Sequence, residues 1–176
     1  MRLRWSGLRR APVPEAVAAA VAPSDGERLL AWATTTAGET VVAGRRYLYV
    51  VAPDTEGAHQ VRVSRPWHLV DAGTWSEEGV LRVTWVDGEP LLRVAVDEPG
   101  MFPETFRERV QASVVLAETL DLGPRRTAKV VVRRDLTTGR LLSQAVLGSG
   151  VRPADPGVAE EVRAGLARVR EQVGLD

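Results

Sequence analysis

Histidine changes charge near neutral pH, so the chain's two histidines come first as candidates for general acid–base work. His59 and His68 each fall in a predicted strand among apolar neighbours, with no serine or carboxylate at a recognisable motif spacing. Asp54, His59, His68 and Asp71 could converge in space, but scattered ligands without spacing are a poor metal signal. Ser149 lies in Gly148-Ser149-Gly150, which lacks the Gly-x-Ser-x-Gly spacing of a nucleophile elbow. No Gly-Lys-Ser/Thr follows it, so the segment is not a phosphate loop either, and a linker is the expectation. Asp135 opens Asp-Leu-Thr-Thr-Gly, but Asp and Gly are what a hairpin loop needs for its own geometry. No set of acid, base, nucleophile and stabiliser assembles, so the expectation is a non-enzyme without catalytic residues, metal or cofactor.

The arginines offer a different chemistry. Arg45-Arg46, Arg125-Arg126 and Arg133-Arg134 lie beside predicted turns or strand ends. Guanidinium groups next to exposed backbone amides suit phosphate. Adjacent strand residues point to opposite faces, however, so a pair is not one claw, and solvated strand ends are the plainer reading. Lys129 is the sole lysine, a bias that a GC-rich genome explains through its Arg and Ala codons. Basic and acidic residues number 23 each, so the excess positive charge of a dedicated nucleic-acid binder is missing. Cysteine is absent, which excludes disulfides, zinc–thiolate sites and thiol nucleophiles and fits a reducing cytoplasm.

These residues need elements to hold them. With 176 residues, 44% apolar and 26% charged, the chain is of ordinary globular composition and long enough to bury a core. Residues 1–13 read as an arm carrying Trp5, followed by a short helix to Ala22 with Pro14 at its first position. The run 16–22 loosely imitates a secretory leader, but Pro12, Pro14 and Glu15 interrupt it and a cytoplasmic protein is expected. No segment approaches the roughly 20 apolar residues that span a bilayer.

From residue 27 to 96 the sequence predicts seven short strands: 28–36, 40–43, 46–51, 59–63, 67–75, 80–86 and 90–96. A bulge is expected at Gly73 in the fifth. Phe102, Phe106 and Val110 then recur at four-residue spacing, giving an amphipathic helix over 101–112. Residues 114–122 suit a strand, 128–134 and 141–147 a hairpin, and 148–153 a linker. Asp155 is a good N-cap with Pro156 at the first position of a helix whose face carries Val158, Val162, Leu166, Val169 and Val173. Gly165 costs that helix about 1 kcal/mol relative to Ala unless it permits close packing. Trp32, Trp67, Trp75 and Trp85 fall on predicted strands and are expected in the core or on a sheet face. Trp5 is left to dock back on the domain or to meet a partner, where Trp is enriched.

Seven strands followed by one helix is the order of a pleckstrin-homology-like barrel. Two stretches carry the resemblance. Ala43-Gly44-Arg45-Arg46-Tyr47-Leu48-Tyr49-Val50 is similar to the strand of bacterial PH and GRAM-type domains in which a turn and an Arg precede an apolar run. Val63-Ser64-Arg65-Pro66-Trp67-His68-Leu69-Val70-Asp71 is similar to a later strand of those domains. Residues 28–116 also resemble small actinobacterial proteins that open with Gly-Glu-Arg-Leu-Leu-Ala-Trp-Ala, here 26–33. The resemblance implies an α+β fold: a seven-stranded antiparallel barrel capped by a helix (27–113), preceded by the arm and short helix (1–26). A C-terminal hairpin and helix (114–176) would pack on the same core. It carries over no catalytic residue. In such barrels the first hairpin loops commonly hold anionic head groups, which makes Arg45 and Arg46 the candidate ligand pair, although zero net charge weakens attraction to a membrane. The expected function is non-catalytic binding of a protein or peptide partner or of a second copy. The alternative is an anionic lipid or phosphate ligand, and a small enzyme ranks third.

Overall fold

Short apolar runs between turn residues become strands, and in the computed structural model, which describes residues 12–22 and 26–175, they pair into three antiparallel sheets. The first holds β1 (Leu29–Thr34), β2 (Thr40–Gly44), β3 (Tyr47–Pro53) and β4 (His59–Pro66) in sequence order. β5 (Val70–Trp75), β6 (Val80–Trp85) and β7 (Leu92–Ala95) form the second. The third has β9 (Thr127–Arg134) between β8 (Val114–Asp121) and β10 (Leu141–Leu147). Among the described residues three α-helices cover them: α1 (Glu15–Val21), α2 (Phe102–Ser113) and α3 (Val158–Gln172). The fold is therefore α+β. No helix among the described residues is long and apolar enough to cross a membrane.

The expected single seven-stranded barrel is not what forms. The seven strands divide into sheets of four and three, and these meet at one bridge, Thr35 opposite Val96, with backbone bonds from Thr36 N–H to the Ala95 carbonyl (2.9 Å) and from Asp97 N–H to the Thr34 carbonyl (3.3 Å). At the other side β4 and β5 do not pair, so the sheets stay open. The reason lies in the connection. Pro66 has no N–H to continue a ladder, and Trp67–Leu69 form a 3-10 turn instead of the expected start of a strand. The bulge of β5 correspondingly falls between Val70 and Ala72 rather than at Gly73.

Two further expectations need correction. The C-terminal hairpin of β9 and β10 forms, but it is part of a three-stranded sheet, because α2 ends at Ser113 and the chain extends directly into β8, which pairs with β9. Asp155 does not cap α3. Gly157, in the left-handed region at φ 79°, precedes the helix, while the Asp155 carboxylate accepts Arg152 N–H (3.0 Å) and the Arg126 guanidinium (2.7 Å).

Three apolar clusters hold the layers. The largest lies between the first two sheets and α2, around Leu48, Val50, Trp67, Val83, Phe102 and Phe106. On the outer face of the first sheet α1 lays Val17 against Val42, Tyr49 and Val51. That second cover explains why β2 and the middle of β3 are apolar at consecutive positions: both faces are buried, so alternation has no purpose there. Sheet three and α3 enclose their own cluster of Leu120, Ala128, Val130, Val132 and Val169. Gly165 serves it directly, since a Cβ there would sit 2.9 Å from both methyls of Leu120.

Candidate binding groove and the seam beside it

β5 is an edge strand. It pairs with β6 on one side, and among the described residues no strand pairs with it on the other. α2 packs over the core-facing side of this strand because its spaced aromatics seek the core: Phe102 and Phe106 are buried, with ring centroids 6.1 Å apart. The approach is close only because Gly73 has no side chain. The Phe106 ring occupies the place a Cβ would take. Between strand and helix a cleft of about 310 Å³ remains, floored by Gly73, Trp75, Leu81, Phe106 and Val110. Arg107 and Gln111 stand on its helical rim and Thr74 on its strand side. An apolar floor beside open backbone donors and acceptors is suited to an extended chain.

The edge is closed at its beginning by sheet three. Arg133, only 2% exposed, reaches from β9 to donate to the Asp71 carbonyl (3.2 Å) and to the Ser113 hydroxyl (3.1 Å), and Ser113 donates in turn to the Val110 carbonyl (2.7 Å). One buried guanidinium thus ties the start of β5, the end of α2 and β9 together. Its charge is desolvated, which lowers its pKa, while the Asp71 carboxylate acts the other way. Lys129, on the same face of β9, pairs with that carboxylate. Gln144 on β10 donates to the His68 carbonyl (3.1 Å). Sheet three therefore meets the rest of the chain through a polar seam.

His68 belongs to this seam. Its Nδ1 lies 3.7 Å from Asp135 Oδ1, at the β9–β10 loop. Burial pushes the imidazole below its ordinary 6.5; Asp135 pulls it back and Arg133 adds to the lowering. Asp135 is held below the usual carboxylate value: burial would raise it, but bonds from Thr137 N–H (2.8 Å) and the Thr138 hydroxyl (2.8 Å), together with His68, prevail. The unfolded chain therefore takes up the histidine proton first, and folded stability falls as pH drops below about 6.5 until the folded imidazole also protonates. Asp135 weakens the fold only in a more acid window. Urea unfolding at pH 7 and pH 5.5 should show a smaller loss for His68→Gln than for the wild type; identical losses would assign the dependence to other groups.

The remaining sequence candidates disperse. Arg45 is exposed, its N–H bonded to the Arg28 carbonyl (2.8 Å). Arg46 is half-buried, with its guanidinium against Gly26 and its N–H 3.2 Å from both oxygens of Glu27. That buried carboxylate also accepts Arg28 N–H (2.8 Å) and the Tyr49 hydroxyl (3.3 Å), and burial plus the Glu27 charge raise the Tyr49 phenol. Trp5 lies outside the described residues. Asp54 caps its own turn, accepting Glu56 N–H (2.9 Å) and Ala58 N–H (2.8 Å), so it does not join His59, His68 and Asp71. No three His, Cys, Asp or Glu converge as metal ligands among the described residues. Ser149 is exposed in the turn after β10.

Sequence reasoning missed the groove and the seam alike. For the seam a signal existed: Lys129, Val131 and Arg133 share one strand face opposite Ala128, Val130 and Val132, which marks a second buried contact. For the groove there was none beyond Gly73, because pairing partners decide which strand is an edge. Compared with known proteins, the chain matches no protein-family model and no curated protein.

Proposed function

We propose that the protein is a non-catalytic binding module of PH-like type that takes an extended segment of a partner protein along the open edge of β5. The observation that carries this reading is the unpaired edge lying beside the apolar cleft under α2. Backbone groups of Ala72–Trp75 supply affinity by strand addition, and every second side chain of the segment enters the cleft. Two sheets followed by a helix over residues 29–113 are what the PH-like reading draws on.

The test is selection from a random displayed peptide library. Enriched peptides should shift the amide resonances of Ala72–Trp75 and lose at least tenfold in affinity for Val110→Trp, a variant that fills the cleft from the half-buried helical side. Peptides that bind this variant as well as the wild type, or that shift residues elsewhere, would remove the groove from consideration.

An anionic ligand at Arg45 and Arg46 is the second reading. The exposure of Arg45 favours it, whereas the Glu27 carboxylate beside Arg46 opposes it. Salt-sensitive association with anionic vesicles, lost in an Arg45/Arg46 double alanine variant, would support it over the groove.

A further inference from the structure

The outer face of the second sheet carries a charge arrangement that folding alone does not favour. The register places Thr74 opposite Arg82, and Arg82 opposite Arg93, so the three form one row across β5, β6 and β7. All three are exposed, while Leu81, Val83, Leu92 and Val94 point into the core. Side chains directly opposite on neighbouring strands sit about 5 Å apart at Cβ, and like charges so placed repel. Neither arginine has an ion pair among the described residues; Glu78, in the turn before β6, shares the field of Arg82. Arg107 on α2 lines the cleft beside the same strand.

We infer that this row selects the partner segment: a strand seated on β5 presents an acidic side chain on its outward face, at the position across from Thr74. This rests on the strand-addition reading. The geometry is that of any antiparallel or parallel addition, in which alternate residues of the incoming strand face the cleft and the intervening ones continue the outer face. The residue beside Thr74 lies two strands from Arg82 and three from Arg93. The long guanidinium of Arg82 spans that gap, and Arg93 behind it repels it toward the edge. A carboxylate or phosphorylated side chain there receives a forked pair of bonds from Arg82 and one from the Thr74 hydroxyl. An apolar segment with acidic residues at the alternate positions is thus the partner chemistry, and a basic segment is rejected.

The variant that tests this is Arg82→Glu, which turns the repulsion with Arg93 into an attraction and the attraction to Glu78 into a repulsion; on an exposed face the two changes offset, so its melting temperature should stay close to that of the wild type. One displayed random library is selected in parallel against the wild type and the variant. The wild type should enrich peptides with Asp or Glu alternating with the apolar anchor, and the variant should enrich Lys or Arg at the same place. Wild-type-selected peptides should bind the variant at least tenfold more weakly. Edge-binding peptides without an acidic bias, or with the same bias in both selections, overturn the role of the row and leave the groove standing. A library that enriches nothing at Ala72–Trp75 overturns both. Vesicles of phosphatidylserine in phosphatidylcholine form a last arm: association of the wild type that Arg82→Glu abolishes would assign the row to a membrane surface and overturn the peptide.

Discussion

Trp67→Ala should cost about 3–5 kcal/mol of folding stability, the largest loss of any single substitution in the first two sheets. The indole is fully buried, stands edge-on to Phe106 at 5.5 Å between centroids, and donates its Nε1–H to the Gly44 carbonyl (3.0 Å). It also sits on the 3-10 turn that carries the chain from one sheet to the other, with its N–H bonded to the Arg46 carbonyl (3.2 Å). Truncation therefore opens a cavity at the corner and leaves a buried carbonyl without its donor. Trp67→Phe separates the two effects: it keeps most of the packing and loses the hydrogen bond, for about 1–3 kcal/mol. Urea denaturation of the two variants measures both numbers. A loss below about 1 kcal/mol for the alanine variant would mean that the corner is held elsewhere.

The second large effect is expected at Arg133. Arg133→Ala should lose about 3 kcal/mol or more, because it removes the donor to the Ser113 hydroxyl and the Asp71 carbonyl in a buried seam and leaves the volume of a long side chain unfilled. Arg133→Met fills most of that volume without burying a charge, so it should lose less than half as much. The two variants differ in the balance between packing and desolvation, and their order decides which dominates. Hydrogen exchange locates the damage: the amides of β8, β9 and β10 should open before those of the first sheet, because the seam is where sheet three joins the rest of the chain. Equal stability of the alanine and methionine variants would show that the hydrogen bonds, not the packing, set the cost.

Both effects bear on the groove. Trp67 precedes β5, and Arg133 holds the carbonyl of Asp71 at its first turn of register, so each positions the edge without lining the cleft. A variant that binds peptide weakly through a displaced β5 is therefore separable from Val110→Trp, which changes a side chain of the cleft while the seam uses only the Val110 carbonyl.

Much of the local structure was legible in the residues. Leu141–Leu147 forms its strand at the expected limits, and Phe102 and Phe106 bury the helix face that their spacing implied. Turn chemistry and apolar periodicity act within a few residues, so they are encoded where they operate. Asp155-Pro156 misled for the same reason: it is a sound capping pair locally, but the Arg126 guanidinium claims the carboxylate from across the chain. Trp67 likewise reads as the start of a strand until Gly44 offers its indole a carbonyl in the core.

What the sequence by itself determined is the type and order of the elements, and the absence of a chemical motif at any recognisable spacing. It also held the alternation that turns Arg82 and Arg93 outward while Leu81 and Val94 turn in. Only the tertiary structure decided that seven strands split into two sheets, that β5 became an open edge, and that Arg133 went inside. Those outcomes depend on which residues meet across tens of positions, where a missing donor at Pro66 or a missing Cβ at Gly73 has no effect until its distant neighbour arrives.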